Sequence, residues 1–293
     1  MYKLQFVLLL ATSFCFSQNT PITNANFQDA INTCLSIDPE DGLCKSSKYG
    51  AMPDWDVSQV TDMSGAFKNK TDFNGDISTW KTSSATNMFD MFARATVFNQ
   101  PLNDWDTSNV TNMGAMFDRA TAFNQDINSW DVRSVTNMEN MFYQASSFDQ
   151  PLHDWNTSSV SDMSAMFAIA SDFNQDISSW DVSNVTDMNW IFNRASSFNQ
   201  DISAWNVSSV TNMSLMFENA FAFNQNLWNW QLNSGAVSVN NMFKDATAAL
   251  ALGYNATPSI TQYSNEIWRL SDVAPPNLFQ PTTKVQLQAA VND

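Results

Sequence analysis

Histidine, cysteine, glycine and basic residues are all scarce in this sequence of 293 residues. One histidine and three cysteines argue against a zinc site and against histidine-based catalysis, and seven glycines argue against the usual phosphate-binding loop. Lysine and arginine total 13 against 29 aspartates and glutamates, which gives a formal net charge of −16. This acidity predicts no nucleic-acid partner and no polybasic membrane patch. We therefore expect a protein that is not an enzyme and uses no cofactor.

Long apolar runs are also missing, apart from one near the N-terminus. The run Leu4–Phe16 follows a single lysine and is shorter than the ~20 residues that a membrane-spanning helix needs. Such a run is typical of a secretory signal, so residues 1–18 are predicted to be a signal peptide, cleaved after Ser17 or Gln18. The mature chain is then expected to be secreted or displayed on the cell surface, and not to span the membrane.

Export leaves two cysteines, and their spacing favours a structural disulfide. Cys34 and Cys44 are separated by nine residues, which is not the CxxC spacing of a redox-active pair. An amphipathic helix is predicted between Thr23 and Leu43, closed by this disulfide. Residues 19–51 are therefore predicted to form an N-terminal cap.

The dominant feature of the sequence is a period of 25 residues. Methionine, phenylalanine and isoleucine or leucine recur at fixed distances from eight evenly spaced tryptophans. One residue inserted near Ser234 displaces the end of the last copy by one position. The tryptophans, which are predicted core residues, are Trp55, Trp80, Trp105, Trp130, Trp155, Trp180, Trp205 and Trp230.

One copy, Ile177–Asp201, shows the pattern within the period. Trp180 and Val182 alternate with polar residues, as in a short half-buried strand. Apolar residues then follow at the i, i+3 and i+4 spacing of a helix over 188–198, with Asp187 at the N-cap position. Each copy is therefore predicted to contain one short strand and one short helix.

Repeats of this kind predict an α/β solenoid of about eight strand–helix coils over residues 52–247, because a single coil cannot bury its own apolar face. Beyond it the period is lost and prolines appear, so residues 248–280 are predicted to be a C-terminal cap and linker. Residues 281–293 match residues 21–33 at five of thirteen aligned positions. Our hypothesis is that a second cap module starts there.

The spacing Ile-x-x-Trp-x-Val-x-x-Val follows the frame of leucine-rich repeats, with valine at the usual asparagine position. With the segments Trp-Asp-Val-Ser-Asn-Val-Thr-Asp-Met and Met-Phe-x-x-Ala-x-x-Phe-Asn-Gln, it resembles the BspA-like leucine-rich repeat surface proteins of Bacteroidetes and mycoplasmas. The resemblance covers Met52 to about Ala246. It implies a leucine-rich-repeat-like array, secreted or surface-displayed, in a family associated with adhesion and protein–protein contact.

Aspartates recur one position after several of the tryptophans. Stacked coils would bring such a column within roughly 5 Å of its neighbours, and facing carboxylates could chelate calcium. The simpler interpretation is a solvated acidic face of turn and cap residues, and no EF-hand loop is present. The residues of this column are Asp56, Asp106, Asp131 and Asp181.

Two further polar features have simple interpretations. His153 lies where sister copies have serine or asparagine, which indicates drift at a surface position. A column of threonines that begins at Thr61 and Thr86 suggests ice binding or, more simply, local hydrogen bonding to the main chain.

The function expected from these observations is adhesion, or recognition of an extracellular protein or polysaccharide, through one face of the solenoid. The alternative is a structural spacer, or a surface or filament component that presents other modules. An exposed aromatic row on one face would favour binding, whereas a uniformly acidic surface would favour the spacer.

Overall fold

The structure, a computed structural model, describes residues 19–227, 230–232 and 237–256. The predicted signal peptide (1–18), the predicted C-terminal cap and linker beyond residue 256 and the predicted second cap (281–293) lie outside the described residues.

Regular secondary structure is sparse. Helix α1 spans Phe27–Leu35, one turn of 3-10 helix spans Met52–Asp54, and helix α2 spans Thr247–Ala251. No helix of the described residues is long and apolar enough to cross a membrane. The rest of the described chain is organised by contacts between repeats.

Successive repeats lie on one another in register. One residue of each repeat forms a parallel bridge with its equivalent in the next, starting with Asp62 and Asn87. Beside this bridge, the Thr86 N–H and the Thr86 hydroxyl both donate to the Thr61 carbonyl, at 2.8 and 3.1 Å. The bridged residues are Asp62, Asn87, Asn112, Asn137, Asp162, Asp187, Asn212 and Ser238. The chain over these residues is therefore an array of stacked repeats.

The predicted strand and helix of each repeat are replaced by other structure. Residues 180–182 form no strand, and the bridge falls instead at Asp187, where a helix N-cap was predicted. Residues 188–198 are consecutive turns, because Trp190 and Arg194 have φ angles of 63° and 56°. A right-handed helix cannot include residues in the left-handed region.

The same pair of left-handed residues, four positions apart, recurs along the array. Its members are Gly65 and Asn69, Asp90 and Arg94, Ala115 and Arg119, Asn140 and Gln144, Ala165 and Ile169, Trp190 and Arg194, Leu215 and Asn219, and Asn241 and Asp245.

The turns replace a helix because they let the main chain bond to the next repeat. In a helix the N–H groups would bond within the segment. Here alternate N–H groups donate to carbonyls of the next repeat, at N···O distances of 2.6 to 3.1 Å. In one repeat the pairs are Met188 to Asn212, Trp190 to Ser214, Phe192 to Met216, and Arg194 to Glu218. We call these four main-chain ladders.

The interior of the array is a set of aromatic stacks. The eight repeat tryptophans are buried, and the stacked neighbours have ring centroids 6.1 to 6.5 Å apart. The indole N–H of Trp130 donates to the Leu102 carbonyl of the preceding repeat at 2.9 Å, and the repeat tryptophans from Trp80 onward have equivalent bonds. Phe142 and Phe148 stack within one repeat at 4.0 Å. Each repeat therefore buries its apolar face on its neighbours.

A further ladder, which we call the asparagine ladder, uses asparagine side chains. The Asn99 N–H donates to Asn74 Oδ1 at 2.8 Å, and the Asn124 N–H donates to Asn99 Oδ1 at 2.9 Å. The following glutamine adds a bond, since Gln150 Nε2 donates to Asn124 Oδ1 at 3.0 Å. The asparagine ladder comprises Asn74, Asn99, Asn124, Asp149, Asn174, Asn199 and Asn224.

The N-terminal residues cover the first repeat. Helix α1 buries Phe27 against Trp80, with ring centroids 5.8 Å apart. The predicted disulfide is confirmed, since Cys34 and Cys44 are bonded with a Cα–Cα distance of 5.2 Å. The helix ends at Leu35 rather than near Leu43, because Pro39 lacks the N–H that a helix requires.

Two side chains of this segment supply the hydrogen bonds that a preceding repeat would make. Asn24 Oδ1 accepts from the Thr61 N–H at 2.8 Å, and Gln28 Nε2 donates to the Ala66 carbonyl at 3.3 Å. At the other end the Tyr254 ring stacks on Phe243 with centroids 4.5 Å apart. Residues outside the repeats therefore bond to polar groups at the N-terminal end of the array and cover an aromatic ring at the other end.

Candidate functional site

One surface of the array varies strongly from repeat to repeat. We define the turn face as residues 64, 65, 68 and 69 of the first repeat and the residues at the same positions of the following repeats. The position of Trp190 illustrates the variation. In the other repeats it holds Gly65, Asp90, Ala115, Asn140, Ala165, Leu215 and Asn241.

Main-chain geometry explains why the turn face tolerates this variation. The bonds that join the repeats here run from N–H to carbonyl, as in the 2.7 Å bond from the Ala165 N–H to the Asn189 carbonyl. A bond of this type makes no demand on the side chain of either residue. The side chains of the turn face are therefore available for another purpose.

Aromatic and basic residues are concentrated on the turn face. Phe89, Tyr143 and Trp190 lie there, each partly exposed. Of the eight lysines and arginines between residues 52 and 256, five are turn-face residues. They are Lys68, Arg94, Arg119, Arg194 and Lys244. The turn face is thus neither uniformly acidic nor without features.

Acidic neighbours hold several of these cations. Lys68 pairs with Asp90 of the next repeat, and Lys244 Nζ lies 2.8 Å from Glu218 Oε1. The Glu218 pKa is lowered in spite of its desolvation, because the Lys244 and Asn193 side chains donate to the carboxylate. These pairs cross from one repeat to the next.

A shallow groove of about 460 Å³ lies on the turn face between Tyr143 and Trp190. The Arg119 guanidinium lies 5.2 Å from the centre of the Tyr143 ring, and its Nε donates to Gln144 Oε1 at 3.1 Å. Arg119 Nη1 also lies 3.3 Å from Asp118 Oδ2. The groove is lined by Ala115, Asp118, Arg119, Asn140, Tyr143, Ser164, Ala165, Asn189 and Trp190.

Two carboxyl groups of the turn face are destabilised in their charged form. Burial raises the Asp118 pKa, although the charges of Arg119 and Arg94 act in the opposite direction. Asp118 Oδ1 is buried and has no hydrogen-bond partner among the described residues. Burial also raises the Glu139 pKa, with a smaller contribution from the charge of Asp162. Asp118, which lines the groove, is therefore partly desolvated.

The column of predicted calcium ligands lies outside the turn face, and its carboxylates bond within their own repeats. Asp56, Asp106 and Asp181 each accept from the N–H two residues later, at 3.0 Å, and Asp131 pairs with Arg133 at 2.6 Å. The Asp56 and Asp181 pKa values are lowered by the serine hydroxyl and N–H donors. No group of three or more histidine, cysteine, aspartate or glutamate residues in the described parts of the chain could hold a metal ion.

The other polar candidates are also accounted for by local contacts. The threonine hydroxyls donate to the threonine carbonyls of the preceding repeat, as in the 3.1 Å bond from Thr111 to Thr86. His153 has a half-exposed side chain that lies 3.6 Å from Asp154 Oδ1.

The turn-face residues were not identified as a candidate site from the sequence. The signal that could have identified them is their change from repeat to repeat, in a frame where most other positions keep one residue type. Tyr143 and Trp190, for example, occupy positions that are alanine in some sister repeats, Ala168 and Ala165 among them.

Comparison with known families gives one match. The family described as Mycoplasma protein of unknown function, DUF285, matches residues 43–155 and again residues 145–252. No curated protein and no solved structure matches the chain. The two matched segments cover most of the described array.

Proposed function

The chain belongs to the DUF285 family of mycoplasma-type repeat proteins, and we propose that it is a non-catalytic recognition protein, secreted or displayed on the cell surface. Its ligand is an extracellular protein or polysaccharide, bound through the turn face. In this proposal the stacked repeats form a solenoid of the BspA-like leucine-rich repeat type.

The contrast between scaffold and surface carries this proposal. Tryptophan, phenylalanine and asparagine columns repeat because each member packs on, or bonds to, the next repeat. The turn face is held by main-chain bonds and yet carries three partly exposed aromatic residues, Phe89, Tyr143 and Trp190. Aromatic and arginine side chains are enriched where proteins bind partners.

The stacking adds a physical reason for recognition by repetition. Neighbouring repeats present equivalent positions at roughly 5 Å intervals, the spacing of bridged main chains. A ligand that extends along the array would make several contacts at once, and linked contacts raise the overall affinity without any single strong contact. A spacer has no need of a varied aromatic surface.

The proposal is tested with the mature chain, beginning at residue 19, and immobilised extracellular-matrix proteins and polysaccharides. A variant with Phe89→Ala, Tyr143→Ala and Trp190→Ala removes the aromatic residues of the turn face. The matched control removes three exposed side chains elsewhere, with Lys81→Ala, Arg133→Ala and His153→Ala. We expect saturable binding that the first variant loses and the control keeps.

Two outcomes would overturn the proposal. Binding that survives the loss of the aromatic residues would move the site away from the turn face. No binding to any ligand, with melting of the wild-type chain intact, would favour the structural spacer. Localisation is tested by N-terminal sequencing of the native protein. Recovery from the medium or the cell surface, with a start at residue 18 or 19, is expected, and an intracellular chain that retains Met1 would contradict it.

A further inference from the structure

The groove between Tyr143 and Trp190 has the composition of a site for an uncharged, hydroxyl-rich chain. This inference rests on the proposed function and names its ligand class. The two aromatic residues lie two repeats apart, which is roughly 10 Å along the array at the spacing of bridged main chains. Between them the surface is made by small residues, Ala165 and Ser164. A flat ligand can therefore lie along the array and contact both rings.

The polar groups of the groove are mostly neutral. Asn140, Ser164 and Asn189 offer amide and hydroxyl groups that can both donate and accept hydrogen bonds. Such groups suit a ligand whose own groups are hydroxyls, because each hydroxyl also both donates and accepts. They would not neutralise a charged ligand.

The one cation that lines the groove, Arg119, already has partners within the protein. Arg119 pairs with Asp118, donates to Gln144 and packs over the Tyr143 ring. The pair adds no net charge to the groove, and the chain as a whole has a formal net charge of −16. An anionic polymer would be repelled by this charge and would find no free cation in the groove.

Aromatic side chains present an apolar face and suit ligands that have one too. Sugar rings combine an apolar face of C–H groups with hydroxyls around the rim. Two aromatic rings and several neutral polar side chains are the combination that the groove offers. We propose that this groove binds a neutral polysaccharide chain lying along the array, with sugar rings packed against Tyr143 and Trp190.

The experiment uses the mature chain and four insoluble neutral polymers, namely cellulose, chitin, curdlan and starch, with alginate and polygalacturonate as anionic comparisons. Calorimetry with oligosaccharides of the polymer that binds then gives the affinity. Trp190→Ala and Tyr143→Ala are each expected to weaken binding about tenfold or more, as when an aromatic anchor is removed from an interface.

The repeats themselves supply controls for folding. Alanine already occupies the position of Trp190 in two sister repeats, with φ angles of 52° at both Ala115 and Ala165. His153→Ala changes an exposed residue outside the turn face and outside the groove. We expect it to leave the affinity unchanged, and all three variants to melt close to the wild-type chain.

Three results would overturn the inference. These are no binding to any neutral polymer, equal affinity for the wild type and Trp190→Ala, and binding to the anionic polymers alone. The proposed function fails separately. If the chain binds a protein, and the variant without the turn-face aromatic residues does not, the proposed function stands. If no neutral polymer binds, only the inference of a polysaccharide ligand is excluded.

Discussion

Two edges of the same repeat are held to their neighbours by different means. Along the asparagine ladder a side chain bonds to the main chain of the next repeat, as Asn124 Oδ1 does with the Asp149 N–H. Along the turn face the main chain bonds to the main chain, as the Asn140 N–H does with the Ser164 carbonyl. The asparagine ladder has asparagine at every position except Asp149, whereas the residue types of the turn face differ between neighbouring repeats.

This difference shows where a repeat protein of this kind can vary without loss of structure. A column is restricted to one residue type where the side chain itself joins the repeats or fills the core. Where main-chain bonds join the repeats, the side chains are not needed to hold the repeats together. The turn face is therefore the surface on which a ligand-binding site can be built without damage to the scaffold.

The largest test of this contrast compares two tryptophans. Trp130→Ala removes a buried ring and the indole bond to Leu102, so we expect a loss of about 3–5 kcal/mol in the free energy of unfolding. Trp190→Ala, on the turn face, is expected to change it by less than about 1 kcal/mol. Urea unfolding of both variants measures the difference, and equal losses would contradict the division between core and turn face.

A second test replaces one asparagine of the asparagine ladder and one asparagine of the turn face. Asn124→Ala leaves the Asp149 N–H and the Gln150 side-chain amide without their acceptor, and we expect a cost of about 1–3 kcal/mol. Asn189→Ser introduces the residue type that sister repeats carry at 164 and 214, and should cost no more than about 0.5 kcal/mol. If both variants unfolded at the same urea concentration, the ladder would have no special role in stability.

A third test measures the cost of the left-handed residues. Ile169 is β-branched and has a φ angle of 62°, whereas sister repeats carry Asn69 and Asn219 there. Ile169→Asn should stabilise the array by about 1 kcal/mol, since asparagine tolerates this conformation. Gly65→Ala, at φ 63°, should destabilise it by a similar amount, although its Cβ would meet only Lys68 Cβ at 4.0 Å. Thermal melting that shifted in neither direction would show that these turns are not strained.

The smallest expected effect concerns Asp118. Its pKa is raised above the ordinary value of 3.8, so the charged carboxylate disfavours the folded state at neutral pH. Asp118→Asn should therefore raise the melting temperature at pH 7. As the pH falls through the raised pKa, the wild-type carboxyl takes up a proton in the folded state and the advantage should disappear. A gain that was the same at every pH would contradict this explanation.

Part of the fold could be predicted from the sequence. The period of 25 residues, the tryptophan column and the pair Cys34 and Cys44 are properties of residue type and spacing alone. The prediction of a helix over 188–198 was wrong, and the reason lies in the spacing of the turns. Turns closed by N–H to carbonyl bonds three residues apart place Met188, Ile191 and Ala195 on one side, much as a helix would. Only the bonds between repeats distinguish the two, and the pattern within one repeat does not contain them.

The candidate site was less accessible to prediction. Repetition directed attention to columns that stay constant, such as the aspartates near the tryptophans, and away from positions that change. The burial of Asp118 and the three contacts of Arg119 depend on which repeat lies next to which side chain. The left-handed angles that form the turn face fall on residues as different as Trp190, Ile169 and Ala115, so residue type does not reveal them.

The main-chain ladders also give the array an electrical direction. In all four ladders the peptide N–H points toward the C-terminal end and the carbonyl toward the N-terminal end. The main-chain N–H groups of the threonine column and of the asparagine ladder point the opposite way, as do those of Ala122, Asp172 and Ser197. Peptide dipoles that align in this way add along an axis, as they do in a helix. The four ladders therefore contribute a dipole whose negative end lies at the end that α1 covers, and the N–H groups of the opposite sense offset part of it. Lys70 lies at that end and donates to Asn32 of α1 at 2.8 Å.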